Sequence, residues 1–210
     1  KTCSSSGLQH FFLTNVQNFQ SEASLWVTMV LMSGFFERFP KIRAGVFEAS
    51  STWLAFLLDE CDKYYKLYKN ERQLPPLTRL PSETFQMHCV TGFEGDEAPP
   101  SKLPEFYEDI LAWSSDVYHH DGDDVWRAME TMQECNLSDK YQEKFLGGNA
   151  RALYNIEPPS KFITNRVTEI ERPDWWPTEE EIRASMPAEM GLRPHLRSAH
   201  SILGKKEGRS

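Results

Sequence analysis

The sequence has few cysteines, no excess of positive charge and no long apolar run. Its four cysteines are far apart and form no CxxC pair, so neither a disulfide framework nor a cysteine zinc site is indicated. The longest apolar run, Ala23–Phe36, is interrupted by serine, threonine and glycine and is shorter than the ~20 residues that cross a bilayer. We therefore expect a cytoplasmic protein with reduced thiols and no membrane span.

The charge balance argues against a further class of partner. Lys and Arg number 23 against 31 Asp and Glu, which gives a formal net charge of -8. A negative surface opposes the phosphate attraction that nucleic-acid binding needs. With 40% hydrophobic and 12% aromatic residues, the chain can bury the core of about one domain. We expect a globular protein that binds neither nucleic acid nor a membrane.

The sequence also lacks an initiator methionine and the apolar core of a signal peptide. It begins with Lys-Thr-Cys and a serine-rich stretch. We expect from this that it starts within a longer reading frame.

Short apolar stretches alternate with amphipathic stretches of 3.6-residue periodicity, an order typical of a parallel sheet covered by helices. A fourth strand is possible at Leu8–Leu13, and Asn70–Pro81 has the composition of a connection. The predicted strands are Ile42–Glu48, Met87–Glu94 and Ile110–Ser115. The predicted helices are Ser24–Phe39, Thr52–Tyr68, Leu103–Asp109, Asp123–Cys135 and Ser138–Phe145.

The region after Ile156 is charged and punctuated by prolines. We expect a domain over residues 1–157 and an extended C-terminal arm over 158–210. Thr178 and Glu181 have the spacing of a helix capping box. Trp175 and Trp176 are predicted to anchor the arm on another surface, because adjacent large aromatic side chains in such an arm have little other way to leave water.

The segment WSSDVYHHDG, residues 113–122, carries the strongest chemical signal. Asp116 follows an apolar strand where a polar loop begins, and in a (β/α) barrel catalysis occurs at that end of the strands. An aspartate there can bind a divalent metal and accept a proton. Taken alone, that residue is more simply interpreted as a helix N-cap or a solvated loop aspartate, because aspartate is a preferred cap. His119 and His120 follow and could contact an anionic substrate or relay protons.

Three segments together resemble the C-terminal half of the amidohydrolase family related to aminocarboxymuconate semialdehyde decarboxylase. They are GFFERFPKIRAGVFEASSTWLAFLLDECD (34–62), WSSDVYHHDG (113–122) and FLGGNARALYNI (145–156). In that family a G-x-F-x-R-F-P-K-L helix end leads into a strand, the last barrel strand reads G-S-D-Y-P-H, and the domain closes on G-G-N-A-x-x-L-Y. The resemblance implies the C-terminal half of a (β/α)8 TIM barrel.

The resemblance also implies site residues. Asp116 matches the metal-binding and catalytic aspartate. Glu48 stands where the decarboxylases carry a histidine that faces metal or substrate, and the alternative for Glu48 is a structural salt bridge. His119, His120 and Glu94 are the candidate substrate contacts, with a solvated loop as the alternative for Glu94. His10 is a weaker candidate, and His88 is expected to be a core residue. The implied cofactor is a divalent metal, zinc first, with manganese or iron as alternatives.

Two departures from the family pattern bear on the activity. The family carries an HxH pair of metal ligands on its first strand, and no HxH occurs in this sequence. A full barrel takes ~250 residues and eight strands, so an N-terminal half should come from the same gene product or from a partner chain. We expect a metal-dependent hydrolase or nonoxidative decarboxylase of a small carboxylated, aromatic or unsaturated substrate, within a homo-oligomer. The alternative is a non-catalytic half-barrel subunit that completes or stabilises a partner chain.

Overall fold

A small parallel sheet with helices packed against it forms the centre of the molecule. The structure is a computed structural model and describes residues 11–70, 75–116 and 124–157, together with positions 119, 122, 175, 177, 178, 181 and 184. Within these residues the strands are β1 (Ala44–Val46), β2 (Cys89–Phe93) and β3 (Leu111–Trp113), in the order β1-β2-β3. All three predicted strands are therefore confirmed, each shorter than its apolar stretch.

The register of the sheet brings the C-terminal ends of the strands to one edge. Gly45 pairs with Val90 between β1 and β2, and Gly92 pairs with Ala112 between β2 and β3, both in parallel. Because parallel strands connected by helices all run in one direction, the loops after β1, β2 and β3 share one side of the sheet. Any site built from these loops lies there.

The helices follow the alternation that the sequence predicted, with several additions. They are α1 (Phe11–Met32), α2 (Phe35–Arg38), α3 (Trp53–Tyr68), α4 (Pro81–His88), α5 (Ala98–Lys102), α6 (Pro104–Tyr107), α7 (Val125–Glu134), α8 (Asp139–Glu143), a π-helical turn (Lys144–Gly148) and α9 (Asn149–Tyr154). None of the helices described is both long and apolar enough to cross a membrane.

The core lies between the sheet and the helices. Its most enclosed side chains, each at most 3% exposed, are Val27, Leu31, Phe36, Leu54, Leu58, Phe85, Val90, Phe93, Tyr107, Ile110, Leu111, Met132 and Phe145. The 3.6-residue periodicity of Thr52–Tyr68 predicts one apolar face that includes Leu54, Leu57, Leu58, Cys61, Tyr64, Tyr65 and Tyr68. Of these, Leu54, Leu58, Cys61 and Tyr65 are buried in α3. The prediction is wrong for Tyr64 and Tyr68, which are 45% and 47% exposed and stack on each other.

Two assignments made from the sequence need correction. The possible strand at Leu8–Leu13 is wrong from Phe11 onward, because α1 begins there; residues 8–10 lie outside the described residues. The stretch Pro81–His88 is a helix, where the sequence indicated the end of a connection and the start of a strand. A proline is well tolerated at the first position of a helix, and Glu83 accepts a hydrogen bond from the Leu80 amide at 2.9 Å.

His88 ends α4 and is a core residue, as expected. Its ring stacks on Phe36 with centroids 4.7 Å apart, and its Nδ1 lies 3.0 Å from the Ile42 carbonyl oxygen. The ring therefore has a partner on its face and on its edge. His88 immediately precedes β2, at the N-terminal end of the strands and away from the candidate site.

Asn149 ties the C-terminal helices to β3. Its side-chain amide donates to the carbonyl oxygens of Leu111 at 2.7 Å and Glu108 at 3.0 Å. The Gly-Gly-Asn motif therefore fixes the start of the strand that leads to Asp116, and α9, which the sequence did not predict, begins at this asparagine.

The C-terminal region is described at a few positions. The Thr178 hydroxyl receives a hydrogen bond from the Glu181 amide at 3.2 Å, and the Glu181 carboxylate accepts from the Thr178 amide at 2.7 Å. The predicted capping box is therefore confirmed. Trp175 is 74% exposed, and Trp176 lies outside the described residues. The boundary at residue 157 and the anchoring role of the two tryptophans stay predictions.

Candidate metal centre

The loop after β1 presents Glu48 from a tight turn. Glu48 has a φ of 61° and Ser50 a φ of 52°, so two residues that are not glycine adopt the left-handed conformation within three positions. Each such residue costs about 1–2 kcal/mol relative to an ordinary backbone. A turn of this kind persists only when neighbouring groups hold it.

Three side chains from outside the turn hold it through its backbone. The Glu97 carboxylate accepts from the Ser51 amide at 2.9 Å, and the Tyr107 hydroxyl donates to the Ser51 carbonyl oxygen at 2.8 Å. The Trp53 indole donates to the Ala49 carbonyl oxygen at 2.7 Å. Ser51 is fully buried and its hydrogen bond with Tyr107 forms away from water, whereas the hydrogen bonds of Glu97 and Trp53 are partly buried.

In the loop after β3, Asp116 is itself in the left-handed conformation, with a φ of 46°. The His119 amide donates to the Asp116 carbonyl oxygen at 3.0 Å, and the Gly122 amide donates to the His119 carbonyl oxygen at 3.3 Å. A Cβ added at Gly122 would lie 2.5 Å from the Asp116 carbonyl oxygen, which is closer than any side chain allows. The loop can therefore fold back on Asp116 only with glycine at position 122.

Glu48, Asp116 and His119 converge on one point at the C-terminal edge of the sheet. Each offers one ligand atom, and these atoms all lie within 4.8 Å of one another. The Asp116 Oδ2 atom is 2.9 Å from His119 Nδ1. The Asp116 side chain is 17% exposed and that of His119 61%, so the cluster opens to the outside.

The donor set of this cluster fits a divalent cation. Two carboxylates and one imidazole are ligands that zinc and manganese both accept. Two carboxylates at this separation repel each other unless a positive charge lies near them, and a cation or a protonated His119 would supply it. Three protein ligands leave positions for a substrate, the arrangement that distinguishes catalytic from structural metal sites.

The other candidate residues lie apart from this point. Glu94 starts the loop after β2, which lies between the two converging loops. Its amide donates to Glu97 Oε1 at 3.0 Å. Its carboxylate is not one of the three clustered ligands. His10 and His120 lie outside the described residues. Sequence reasoning missed Glu97, Tyr107 and Trp53 as supports of the site.

A groove leads away from the site along the free edge of β1. It has a volume of about 360 Å³ and lies between α1 and β1. Its most exposed apolar side chains are Phe19, Trp26 and Phe47, which are 51%, 46% and 41% exposed. Glu48 and Ala49 line the end of the groove nearest the metal centre.

Comparison with solved structures shows the same fold in three enzymes. The chain is similar to a 5-carboxyvanillate decarboxylase from Sphingomonas paucimobilis, with a TM-score of 0.57, 18% identity and 68% of this chain covered. An amidohydrolase from Mycobacterium avium subsp. paratuberculosis K-10 gives a TM-score of 0.56, 18% identity and 69% coverage. A dihydroxybenzoic acid decarboxylase from Polaromonas sp. JS666, which holds manganese and the inhibitor 2-nitroresorcinol, gives a TM-score of 0.51, 16% identity and 65% coverage of this chain.

These matches establish the fold. No sequence model of a known protein family matches the chain, and no curated protein sequence does. The matched region covers 42%, 36% and 40% of the three solved chains, so this chain spans less than half the length of its structural neighbours. The resemblance to the amidohydrolase superfamily that the three sequence segments indicated is confirmed at the level of fold.

Proposed function

We propose that the chain is the C-terminal half of a (β/α)8 barrel and supplies part of the metal site of a hydrolase or nonoxidative decarboxylase. The observation that carries the proposal is the convergence of Glu48, Asp116 and His119 at the C-terminal edge of a parallel sheet. The fold shared with two decarboxylases and an amidohydrolase supports it. A small carboxylated aromatic or unsaturated compound is the proposed substrate class, by analogy with those neighbours.

Each residue of the cluster has a chemical role in this proposal. Asp116 and Glu48 would hold a divalent ion, zinc or manganese, which would supply Lewis-acid chemistry when bound. Asp116 also accepts or returns a proton, and His119, whose Nδ1 touches the Asp116 carboxylate, exchanges that proton and helps to bind the substrate carboxylate. His120 and Glu94 remain proposed substrate contacts.

The proposed partner is the N-terminal half of the barrel, in the same gene product or in a separate chain. β1 is an edge strand of a parallel sheet, and parallel sheets are covered on both faces in folded proteins. The apolar groove beside β1 is the place where a further parallel strand would pair, because α1 leads into β1 by a helical connection. A (β/α)8 barrel would need five strands in addition to the three described here.

Metal binding by the full chain tests the proposal. We expect isothermal titration with Mn²⁺ to show one site, with Zn²⁺ competing for it. Asp116→Asn and Glu48→Gln should each weaken binding at least ~10-fold, the lower limit for residues that support a metal site. Asp109→Asn is the control, because Asp109 forms an exposed ion pair with Lys144 away from the cluster. Equal Mn²⁺ affinities in Asp116→Asn and Asp109→Asn would contradict the proposed metal centre.

The second candidate function is a non-catalytic half-barrel subunit. It is favoured by the absence of an HxH pair and by glutamate at position 48 in place of the family's histidine. The assembled protein separates the two candidates. A complex that contains the metal only when Asp116 is intact supports the enzyme, whereas a stable complex with unchanged activity in Asp116→Asn supports the subunit.

A further inference from the structure

Glu97 is a half-buried carboxylate that lies outside the metal cluster and joins two of the loops at the edge of the sheet. Its Oε2 accepts from the Ser51 amide at 2.9 Å and the Ser51 hydroxyl at 2.8 Å. Its Oε1 accepts from the Glu94 amide at 3.0 Å. One side chain therefore joins the turn after β1 to the end of β2.

The turn that Glu97 holds is the one that presents Glu48. Glu48 and Ser50 both have left-handed backbones, and the favoured alternative for each is an ordinary extended or helical conformation. A flip of either residue would redirect the Glu48 side chain away from Asp116. The amide and carbonyl groups of Ser51 resist this flip, because Glu97 binds the first and Tyr107 the second.

Burial stiffens the contacts that Glu97 and Tyr107 make with the Ser51 peptide, which we call the brace. Ser51 is fully buried and Tyr107 is 1% exposed, so water cannot replace the hydrogen bond between them without opening the core. Burial also raises the pKa of the Tyr107 hydroxyl, with the Glu97 charge as the second cause, so that this group keeps its proton and remains a donor to Ser51.

We infer that Glu97 is a positioning residue that sets Glu48 in place as a ligand, acting through the Ser51 peptide. The positioning role rests on the geometry of the turn. Its functional consequence rests on the proposed metal centre. It assigns Glu97 no contact with metal or substrate. The site would then depend on an acid placed on the next loop of the sheet, 49 positions after the glutamate that it orients.

The first test is a double-mutant cycle on Mn²⁺ affinity in the full chain. Glu97→Gln keeps the size of the side chain, but its NH₂ group cannot accept from a backbone amide. We expect a ~10-fold loss of affinity, the range for groups that orient a ligand. In a Glu48→Gln background the same change should cause no further loss. An equal loss in both backgrounds would show that Glu97 acts on the whole fold and would overturn the inference.

The matched control is Glu37→Gln. Glu37 also braces a turn, by accepting from the Thr78 amide and hydroxyl at 2.9 Å each. It lies in α2, before β1, and the hydrogen bonds described for its carboxylate join it to Thr78 rather than to the loops of the site. Its Mn²⁺ affinity should equal that of the unchanged chain, whereas a loss as large as that of Glu97→Gln would contradict the proposed specificity.

The second test does not depend on metal. Hydrogen exchange measured by NMR should show that the Ser51 amide loses protection in Glu97→Gln and keeps it in Glu37→Gln, and chemical shifts should show that Glu48 leaves its left-handed conformation. If the unchanged chain binds no Mn²⁺, the metal proposal fails, and this measurement still decides the positioning role. Continued protection of Ser51 with an unchanged Glu48 backbone would overturn the inference.

Tyr107→Phe covers the case in which Glu97→Gln does not fold. It removes only the hydroxyl that donates to the Ser51 carbonyl oxygen and keeps the buried ring. The variant should stay folded and show a smaller change of the same kind in Ser51 exchange and Mn²⁺ affinity. A folded Tyr107→Phe chain with unchanged exchange and affinity would count against the brace.

Discussion

The two loops that bring carboxylates to the candidate metal centre are held in different ways. The turn after β1 receives hydrogen bonds from Glu97 and Tyr107, which are distant in sequence, and from the neighbouring Trp53. In the described residues of the loop after β3, short-range contacts join Asp116, His119 and Gly122. Both loops present a carboxylate from a left-handed residue, and long-range contacts support the first of them.

This difference indicates a division of labour within the site. A residue braced through the core keeps its position when the surface changes, and so the Glu48 turn is suited to hold a ligand in fixed geometry. A residue held by its own loop can move with that loop, as a group that transfers protons and contacts a substrate must do. Under the proposed function, Glu48 would be the fixed ligand and Asp116 with His119 the reactive pair.

The largest expected effect is on catalysis by the assembled enzyme. Asp116→Asn keeps the size of the side chain and removes its negative charge and its proton acceptor. Activity should fall at least ~100-fold, the lower range for loss of a general base, and the melting temperature should change little. Steady-state assays on a carboxylated aromatic substrate measure this, with Asp109→Asn as the control. Near-normal turnover in Asp116→Asn would assign the chemistry to another group.

A second variant tests whether the helix after the Glu48 turn belongs to the rigid core. Leu58 is 1% exposed on α3, and Leu58→Asp would bury an unpaired charge. We expect a loss of about 3–5 kcal/mol, seen as loss of soluble expression. Leu67→Asp, on the same helix at 65% exposure, should express normally. Equal melting curves for the two variants would remove α3 from the core.

A third variant tests whether the Asp116 loop is held locally. Gly122→Ala places a Cβ against the Asp116 carbonyl oxygen, which must then move. Mn²⁺ affinity should fall by about an order of magnitude, and Ser51 exchange should not change. The control is Gly147→Ala, where an added Cβ meets nothing within 4 Å. A simultaneous change in the exchange of the Ser51 amide would show that the two loops are coupled and would contradict the view that they are held separately.

The pH dependence of stability gives a smaller signal. Burial raises the pKa of the Glu97 carboxyl above its ordinary value of 4.5, although hydrogen bonds from Ser51 and Glu94 oppose this. Since the folded state then holds the proton to a higher pH than the unfolded chain, the contribution of Glu97 is complete below 4.5 and is lost as pH rises through the folded pKa. Denaturant melts of Glu97→Gln should show a weaker fall of stability over that window.

Glu37 is also a glutamate that braces a turn, but its pKa is shifted in the opposite direction from that of Glu97. The backbone hydrogen bond from Thr78 holds the pKa of Glu37 below its ordinary value. Its contribution is therefore present above that value and is lost as pH falls through the folded pKa. Glu37→Gln should flatten the acid side of the stability profile, and a change of the same sign in both variants would show that the Glu97 carboxyl is not the group that titrates.

The difference between the two loops also explains what the sequence could predict. The strands and α3 follow from apolar periodicity, and Asp116 follows from its place after an apolar strand, since both signals lie in neighbouring residues. The brace does not, because Glu97 and Ser51 are 46 positions apart and no local pattern joins them. In the sequence, Glu97 stands beside Glu94 and Asp96, and such a group of acidic residues is typical of a solvated loop.

The smallest expected effect is a gain in stability at Ser50. Its φ of 52° costs a residue with a Cβ about 1–2 kcal/mol, and glycine avoids that cost while losing about 0.4–1 kcal/mol through its freer unfolded chain. Ser50→Gly should therefore stabilise the protein by roughly 0.5 kcal/mol, or about 1–2 °C in Tm. Ser50→Ala keeps the Cβ and should give no gain. Because the brace acts on Ser51, the exchange of its amide should be the same in both variants. A faster Ser51 amide in Ser50→Gly would mean that residue 50 itself, and not Glu97, maintains the turn that presents Glu48.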